Sequence, residues 1–121
     1  MKRVLIVDDD SDIIDLVSLI LEEAGFQVIV SSQQSLIKDI YRYKPGLILY
    51  DGWKKQKEDF QVLSQVKRDK ICSRIPIILF STATDLPSLA QAYQTDSYLD
   101  KPFELDQLVD AVRNCYNLQY Q

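Results

Sequence analysis

The chain has 121 residues, a length that suits one domain with a real hydrophobic core and is too short for two domains of ordinary size. Apolar residues make up 46% of the sequence, charged residues make up 26%, and the net charge is −4, so nothing attracts the chain in bulk to nucleic acid or an anionic membrane. The sequence has no histidine, which excludes a Ser-His-Asp triad, a histidine metal cluster and a phosphohistidine of its own.

Targeting and redox signals are sparse. Cys72 and Cys115 lie far apart and form no CxxC motif, so a single disulfide between them stays open. Acids arrive at Asp8 after only four apolar residues, unlike a signal peptide, and no apolar run approaches the ~18 residues of a membrane span. We therefore expect one cytoplasmic domain over residues 1–121 with no membrane contact.

Short apolar runs predict the strands. They are Val4–Val7, Val28–Val30, Leu47–Tyr50, Ile77–Phe80 and, more weakly, Tyr98–Leu99. Each run is continuous rather than alternating, which is typical of parallel strands that are covered on both faces.

A stripe of apolar residues at helical spacing follows each strand. The first stripe runs from Ile13 to Ala24, and Gly25 can supply its left-handed stop. The others cover Leu36–Tyr41, Phe60–Val66, Leu86–Tyr93 and Leu105–Cys115. Five strand–helix units with right-handed crossovers predict an α/β fold, a doubly wound parallel sheet with helices on both faces.

Polar residues follow four of the five apolar runs. They are Asp8, Asp9 and Asp10, then Asp51, then Ser81 and Thr82, and finally Lys101 with Pro102 behind it. Ligands of such sheets bind outside the carboxyl ends of the strands, so these residues are candidates for one site. Asp10, Ser11 and Asp12 also stand where a helix N-terminus needs a cap, and we assign that simpler purpose to them.

Three carboxylates in one site need counter-charge. Two like charges ~4 Å apart repel by about 4 kcal/mol at an effective dielectric near 20. If Asp8, Asp9 and Asp51 come together, Lys101 supplies one positive charge and a hard cation such as Mg²⁺ supplies the rest. One carboxylate then remains to attack phosphorus.

Four motifs together resemble the receiver domain of bacterial two-component response regulators. They are VLIVDDD at Val4–Asp10, LILYD at Leu47–Asp51, PIILFST at Pro76–Thr82 and YLDKPF at Tyr98–Phe103. The resemblance covers essentially the whole chain. It implies a flavodoxin-like (βα)5 fold, with a five-stranded parallel sheet in the order 2-1-3-4-5.

The resemblance also implies an acceptor and a metal site. Asp51 would be the phosphoacceptor. Mg²⁺ would be held by Asp9, by Asp51, by the backbone carbonyl of Trp53, and by Asp8 largely through water.

A further set of residues would contact the phosphoryl group and report its presence. Lys101 would contact the phosphoryl group, and the Lys101–Pro102 bond is the family's usual place for a cis peptide. Ser81 would be the switch hydroxyl, with Thr82 beside it. Tyr98 would be the switch aromatic that turns inward on phosphorylation.

The partners implied are a histidine kinase or histidine phosphotransfer protein as donor, and a downstream protein on the surface of the fourth helix, fifth strand and fifth helix. The domain would be a regulatory switch that catalyses only its own phosphorylation and dephosphorylation, and it would bind no nucleic acid. The last large apolar residues of the fifth helix, Tyr116, Leu118 and Tyr120, either pack in a homodimer formed on phosphorylation or fray at the terminus.

The sequence departs from the family pattern in two segments. Gly52–Asp59 is expected to be a loop before the third helix, and Lys55 and Asp59 stand in it where Pro and Gly are common in the family. It has gained Lys54, Lys55 and Lys57, which favour a docking loop for an acidic partner, an aid to anionic phosphodonors or, as we prefer, a solvated loop. Gln94 and Thr95 replace Gly-Ala, which removes an easy left-handed stop for the fourth helix.

Two other functions compete with the phosphorylated switch. Asp8-x-Asp10 after a strand mimics the first motif of haloacid-dehalogenase-like phosphatases, with Asp8 as nucleophile and Asp10 as acid-base. The fit is poor, because that class needs a further acid and usually more chain. The altered Gly52–Asp59 loop keeps open a receiver-like interaction module that works without phosphate.

Overall fold

The computed structural model describes residues 2–51, 57–81 and 86–120, with side chains for all of these except 57, 58 and 118–120. The strands are β1 (Arg3–Val7), β2 (Gln27–Ser31), β3 (Leu47–Asp51), β4 (Ile77–Ser81) and β5 (Ser97–Asp100). The helices are α1 (Ser11–Glu23), α2 (Leu36–Tyr43), α3 (Lys57–Arg68), α4 (Leu86–Ala92) and α5 (Leu105–Tyr120), with a 3₁₀ turn at Cys72–Arg74. All strands are parallel in the order β2-β1-β3-β4-β5, which confirms the predicted fold.

Both faces of the central strands β1, β3 and β4 are buried, as the continuous apolar runs predict, whereas the edge strands β2 and β5 are partly exposed. Leu5 and Val7 of β1 point into a cluster shared with α2, α3 and α4. Val4 and Ile6 point the other way, into a cluster shared with α1 and α5. Because successive side chains of a strand alternate between faces, only an unbroken apolar run fills both clusters.

The two ends of α1 follow the sequence signals. The Asp10 carboxylate accepts hydrogen bonds from the backbone N–H groups of Asp12 at 2.9 Å and Ile13 at 3.4 Å, which satisfies donors that the first helical turn leaves open. Just beyond the other end, Gly25 adopts a φ of 96°, in the left-handed region that a side chain would disfavour. Both predicted roles are confirmed.

The start of α3 corrects the sequence prediction. Gly52–Asp59 was expected to be loop, yet α3 begins at Lys57 and carries Asp59 in its first turn. Asp59 is fully buried rather than solvated. Residues 57–59 are polar, so the spacing of apolar residues does not indicate that the helix begins there. The sequence also does not reveal the buried hydrogen-bond donors that Asp59 meets in the fold.

The end of α4 also differs from expectation. The loss of glycine does not remove the left-handed stop, because Gln94 itself adopts a φ of 58°. The Thr95 N–H then donates to the Ala90 carbonyl at 3.0 Å, and the Thr95 hydroxyl donates to the same oxygen at 3.2 Å. These bonds hold a non-glycine residue in a conformation that costs it about 1 kcal/mol.

Helix α5 is longer than its apolar stripe indicated, and its end packs on the same chain. The Tyr116 ring lies edge-on to Phe26, with centroids 6.1 Å apart, and covers Gly46 so closely that a β-carbon there would overlap it. This contact within the chain gives Tyr116 a structural role that needs no dimer. Both Cys72 and Cys115 are free thiols, so the disulfide left open above does not form.

Candidate functional site

The sheet register brings the predicted site residues to one edge. Val7 pairs with Tyr50 and Asp51 pairs with Phe80, so Asp8 and Asp51 end neighbouring strands at the same level. Ser81 pairs with Asp100 on the next strand, immediately before Lys101. The parallel order β1-β3-β4-β5 therefore converts residues far apart in sequence into neighbours.

The Lys101 ammonium joins the two acidic strand ends. Its Nζ lies 3.3 Å from Asp8 Oδ2 and 3.4 Å from Asp51 Oδ1. Both carboxylate side chains are almost fully buried, and the Lys101 side chain is only 12% exposed. Each contact is worth about 5 kcal/mol of Coulomb attraction at an effective dielectric of 20, against a desolvation cost of several kcal/mol per ion. One ammonium between two carboxylates leaves the site with a net negative charge and room for a further cation.

The carboxylates line an open cleft of about 600 Å³. Asp9 and Asp10 line the same cleft, and the Asp10 N–H donates to Asp8 Oδ1 at 3.0 Å, which fixes the orientation of that carboxylate. On the other side the cleft is apolar, with Ile13, Leu16, Pro102 and Phe103 in its wall. The cleft therefore leaves the carboxylates and the ammonium accessible together to a small charged group from solvent.

The donor set suits a magnesium ion. The acids that line the cleft supply hard oxygen ligands, and a protein typically gives Mg²⁺ one or two carboxylates while water and phosphate oxygens complete its shell. Over the described parts of the chain, no three metal-binding side chains converge tightly enough to enclose an ion. The acidic lining of the cleft is therefore a donor set that a partly hydrated Mg²⁺ would fit.

The structure describes some of the remaining predicted site residues but not others. Ser81 is fully buried at the end of β4, and its carbonyl accepts the Lys101 N–H at 2.9 Å. Tyr98 is 45% exposed, so its ring points away from the core. The Lys101–Pro102 peptide is cis, as the family resemblance implied. Trp53 and Thr82 lie outside the described residues, as do Lys54 and Lys55.

Sequence reasoning missed one aromatic contact in the site. The Lys101 Nζ lies 4.4 Å from the centroid of the Phe80 ring, within the range of a cation–π interaction. Phe80 belongs to the apolar run that predicts β4, and nothing in that run distinguishes a core ring from one that faces an ammonium.

Sequence reasoning also missed a buried polar network on the opposite face of β3. The Tyr50 hydroxyl donates to the Asp59 carboxylate at 2.9 Å, and the Gln33 amide donates to both partners. Burial is the largest of the causes that raise the pKa of the Tyr50 hydroxyl far above its ordinary value, and the nearby Asp59 charge is the next. The hydroxyl therefore stays protonated and remains a donor. Tyr50 directly precedes Asp51, so the network ties the end of β3 to α3 and to the segment before α2.

The family comparison agrees with this fold and arrangement of residues. A family model described as the response regulator receiver domain matches residues 4–113. The chain therefore belongs to the receiver domain family of response regulators, the components of two-component signal transduction.

Similar proteins support the same assignment. The chain is 33% identical over 120 residues to the DNA-binding dual master transcriptional regulator RpaA of Synechocystis sp., with 93% of this chain and 48% of that protein covered. It is 32% identical over 124 residues to the heme response regulator HssR of Staphylococcus saprophyticus, with 98% of this chain and 54% of that protein covered. The chain thus spans about half the length of these curated relatives.

A solved structure shows the same fold over nearly its whole length. A putative response regulator from Chloroflexus aurantiacus superimposes with a TM-score of 0.85 at 27% identity, covering 96% of this chain and 98% of that one. A CheY-like receiver domain from Methanospirillum hungatei gives a TM-score of 0.82 at 24% identity, covering 98% and 96%. No helix in the described part of the chain has the length and apolarity needed to cross a bilayer.

Proposed function

We propose that this receiver domain is a switch that accepts a phosphoryl group on Asp51. The observation that carries the proposal is the Lys101 ammonium held between the buried carboxylates of Asp8 and Asp51, at 3.3 and 3.4 Å. A carboxylate beside a fixed ammonium, at the mouth of an open cleft, is placed to attack phosphorus while the ammonium stabilises charge on the phosphoryl oxygens.

The transfer is a single displacement. The phosphorus–nitrogen bond of a partner's phosphohistidine breaks as a bond from Asp51 oxygen to phosphorus forms, and the leaving histidine nitrogen keeps the electron pair. Mg²⁺ held by Asp8, Asp9 and Asp51, with the Trp53 carbonyl, would neutralise charge on the transferring group. Lys101 contacts the phosphoryl oxygens, and Asp8 holds Lys101 in the site.

The switch is the response of Ser81 and Tyr98 to the new charge. Ser81 lies at the end of β4 and would donate its hydroxyl hydrogen to a phosphoryl oxygen on Asp51, with Thr82 beside it. The outward ring of Tyr98, 45% exposed, would then turn inward and change the surface formed by α4, β5 and α5. Phosphorylation shifts an existing equilibrium between two packings of that surface.

The partners and location follow from this function. The donor would be a histidine kinase or histidine phosphotransfer protein, and the recipient of the signal a protein that binds the α4-β5-α5 surface. We place this domain in the cytoplasm. The domain would act as a regulatory switch rather than as an enzyme with its own substrate.

Intact-mass measurement tests the proposal. Wild type and Asp51→Asn are incubated with Mg²⁺ and a small acyl-phosphate donor, and circular dichroism checks that both proteins are folded. We expect one added phosphoryl group on wild type and none on Asp51→Asn. If wild type gains no mass while the same donor phosphorylates another receiver, the domain works without phosphate.

A further inference from the structure

An aromatic ring, that of Phe80, contacts the Lys101 ammonium in addition to the carboxylates. The Phe80 ring centroid lies 4.4 Å from Nζ, and the ring itself is 1% exposed. The ammonium therefore has carboxylates on one side and a π face on another, and only 12% of the lysine side chain is exposed.

The Phe80 ring has a fixed position. It lies on the same sheet face as the acids, in the core cluster that α1 and α5 cover. The Phe103 ring packs against it at a centroid distance of 6.4 Å and an interplanar angle of 63°. The Lys101 N–H donates to the Ser81 carbonyl, which fixes the origin of the lysine side chain beside the ring. Ring and ammonium are both preorganised before any ligand arrives.

The ring and the carboxylates respond differently to phosphorylation. When Asp51 is phosphorylated, its oxygen becomes part of an acyl phosphate and no longer attracts Lys101 as a carboxylate. The negative face of an aromatic ring attracts a cation through a fixed quadrupole, which phosphorylation does not alter. Phe80 thus supplies an attraction that persists while the charges around Lys101 are rearranged.

We propose that Phe80 is a positioning residue for Lys101, whose ring holds the ammonium over the end of β4 where it meets the incoming phosphoryl group. The inference rests on the proposed function of Asp51 as phosphoacceptor. Phe80, a core residue, thus contributes to the rate of phosphoryl transfer in addition to packing in the core.

Ring fluorination separates the two contributions of Phe80. Phenylalanine bearing one, two or three ring fluorines is incorporated at position 80; fluorine weakens the negative face and changes the shape little. We expect the rate of Asp51 phosphorylation by the acyl-phosphate donor to fall stepwise, by about five-fold for the trifluorinated ring. The same series at Phe26, a ring of the same core cluster far from the cleft, is the matched control and leaves the rate unchanged.

A second readout does not depend on phosphorylation. In NMR spectra of lysine-labelled protein, the Lys101 εCH₂ resonances are expected to show an upfield ring-current shift that Phe80→Leu removes. Absence of that shift in wild type overturns the contact. A flat rate series at position 80 in a protein that is phosphorylated overturns the positioning role alone, whereas a wild type that takes up no phosphoryl group refutes the function on which the inference rests.

Discussion

The buried network below Asp51 makes a sharp prediction about stability. Tyr50→Phe removes one hydroxyl, which donates to Asp59 at 2.9 Å and accepts from the Gln33 amide at 2.8 Å. Both Tyr50 and Asp59 are fully buried, so no water replaces the lost partner. A hydrogen bond to a charged group is worth about 1.5–3 kcal/mol, and its loss leaves a buried carboxylate with one donor fewer. We expect unfolding free energy to fall by about 2 kcal/mol, and Tm to fall by roughly 6–10 °C for a domain of this size.

The chain contains a matched control for this substitution. The Tyr41 hydroxyl also donates to an aspartate, Asp69, at 2.7 and 2.9 Å, but Tyr41 is 48% exposed. Tyr41→Phe therefore removes the same chemical group where water replaces it. We expect its effect on stability to be clearly smaller than that of Tyr50→Phe.

Urea denaturation of both variants, with calorimetry for Tm, measures the difference. A double-mutant cycle of Tyr50→Phe with Asp59→Asn should give a coupling free energy of about 1–2 kcal/mol. If Tyr50→Phe costs no more than Tyr41→Phe, or if the cycle shows no coupling, the network does not hold β3 to α3 as described.

Three further outcomes follow from the structure. Gln94→Gly should raise the unfolding free energy by about 0.5–1 kcal/mol, because glycine adopts a φ of 58° without the steric cost that a side chain brings. Gln94→Ala keeps a β-carbon and should not raise it. Equal stability of the two variants would count against this reasoning. Gly46→Ala should cost about 1–3 kcal/mol in thermal melts through overlap with the Tyr116 ring, and a cost that persists in a Tyr116→Ala background would show another cause. Burial raises the pKa of Cys72 and of Cys115 from the usual 9.0 to about 11, so below pH 9 the thiolate fraction is about 100-fold lower in the folded protein. Iodoacetamide labelling at pH 8 should therefore be slow until urea unfolds the chain, and equally fast labelling of native protein would contradict the burial.

The sheet could be predicted from sequence because its signals are local. Continuous apolar runs mark strands covered on both faces, and Gly25 and Asp10 mark the ends of α1 through backbone requirements that short segments reveal. The convergence of Asp8 and Asp51 on Lys101 also follows, because parallel strands bring their carboxyl ends to one edge.

What the sequence hid depends on contacts between distant elements. From sequence alone Asp59 has the character of a solvated loop residue, because its hydrogen bonds come from Tyr50 and Gln33, which lie on other parts of the fold. Gln94 looks unable to replace a glycine until the backbone bonds of Thr95 are counted. The contact of Phe80 with Lys101 needs the register of β4 against β5, which an apolar run does not encode.

The most direct test of the central claim is to determine which aspartate carries the phosphoryl group. Borohydride reduces an acyl phosphate of aspartate to homoserine, and tandem mass spectrometry of the digested protein then identifies the altered position. We expect homoserine at position 51 after treatment with Mg²⁺ and the acyl-phosphate donor, and unmodified Asp8 and Asp9. Homoserine at position 8 would instead indicate phosphatase-like chemistry with Asp8 as nucleophile, and would contradict the assignment of Asp51 as phosphoacceptor.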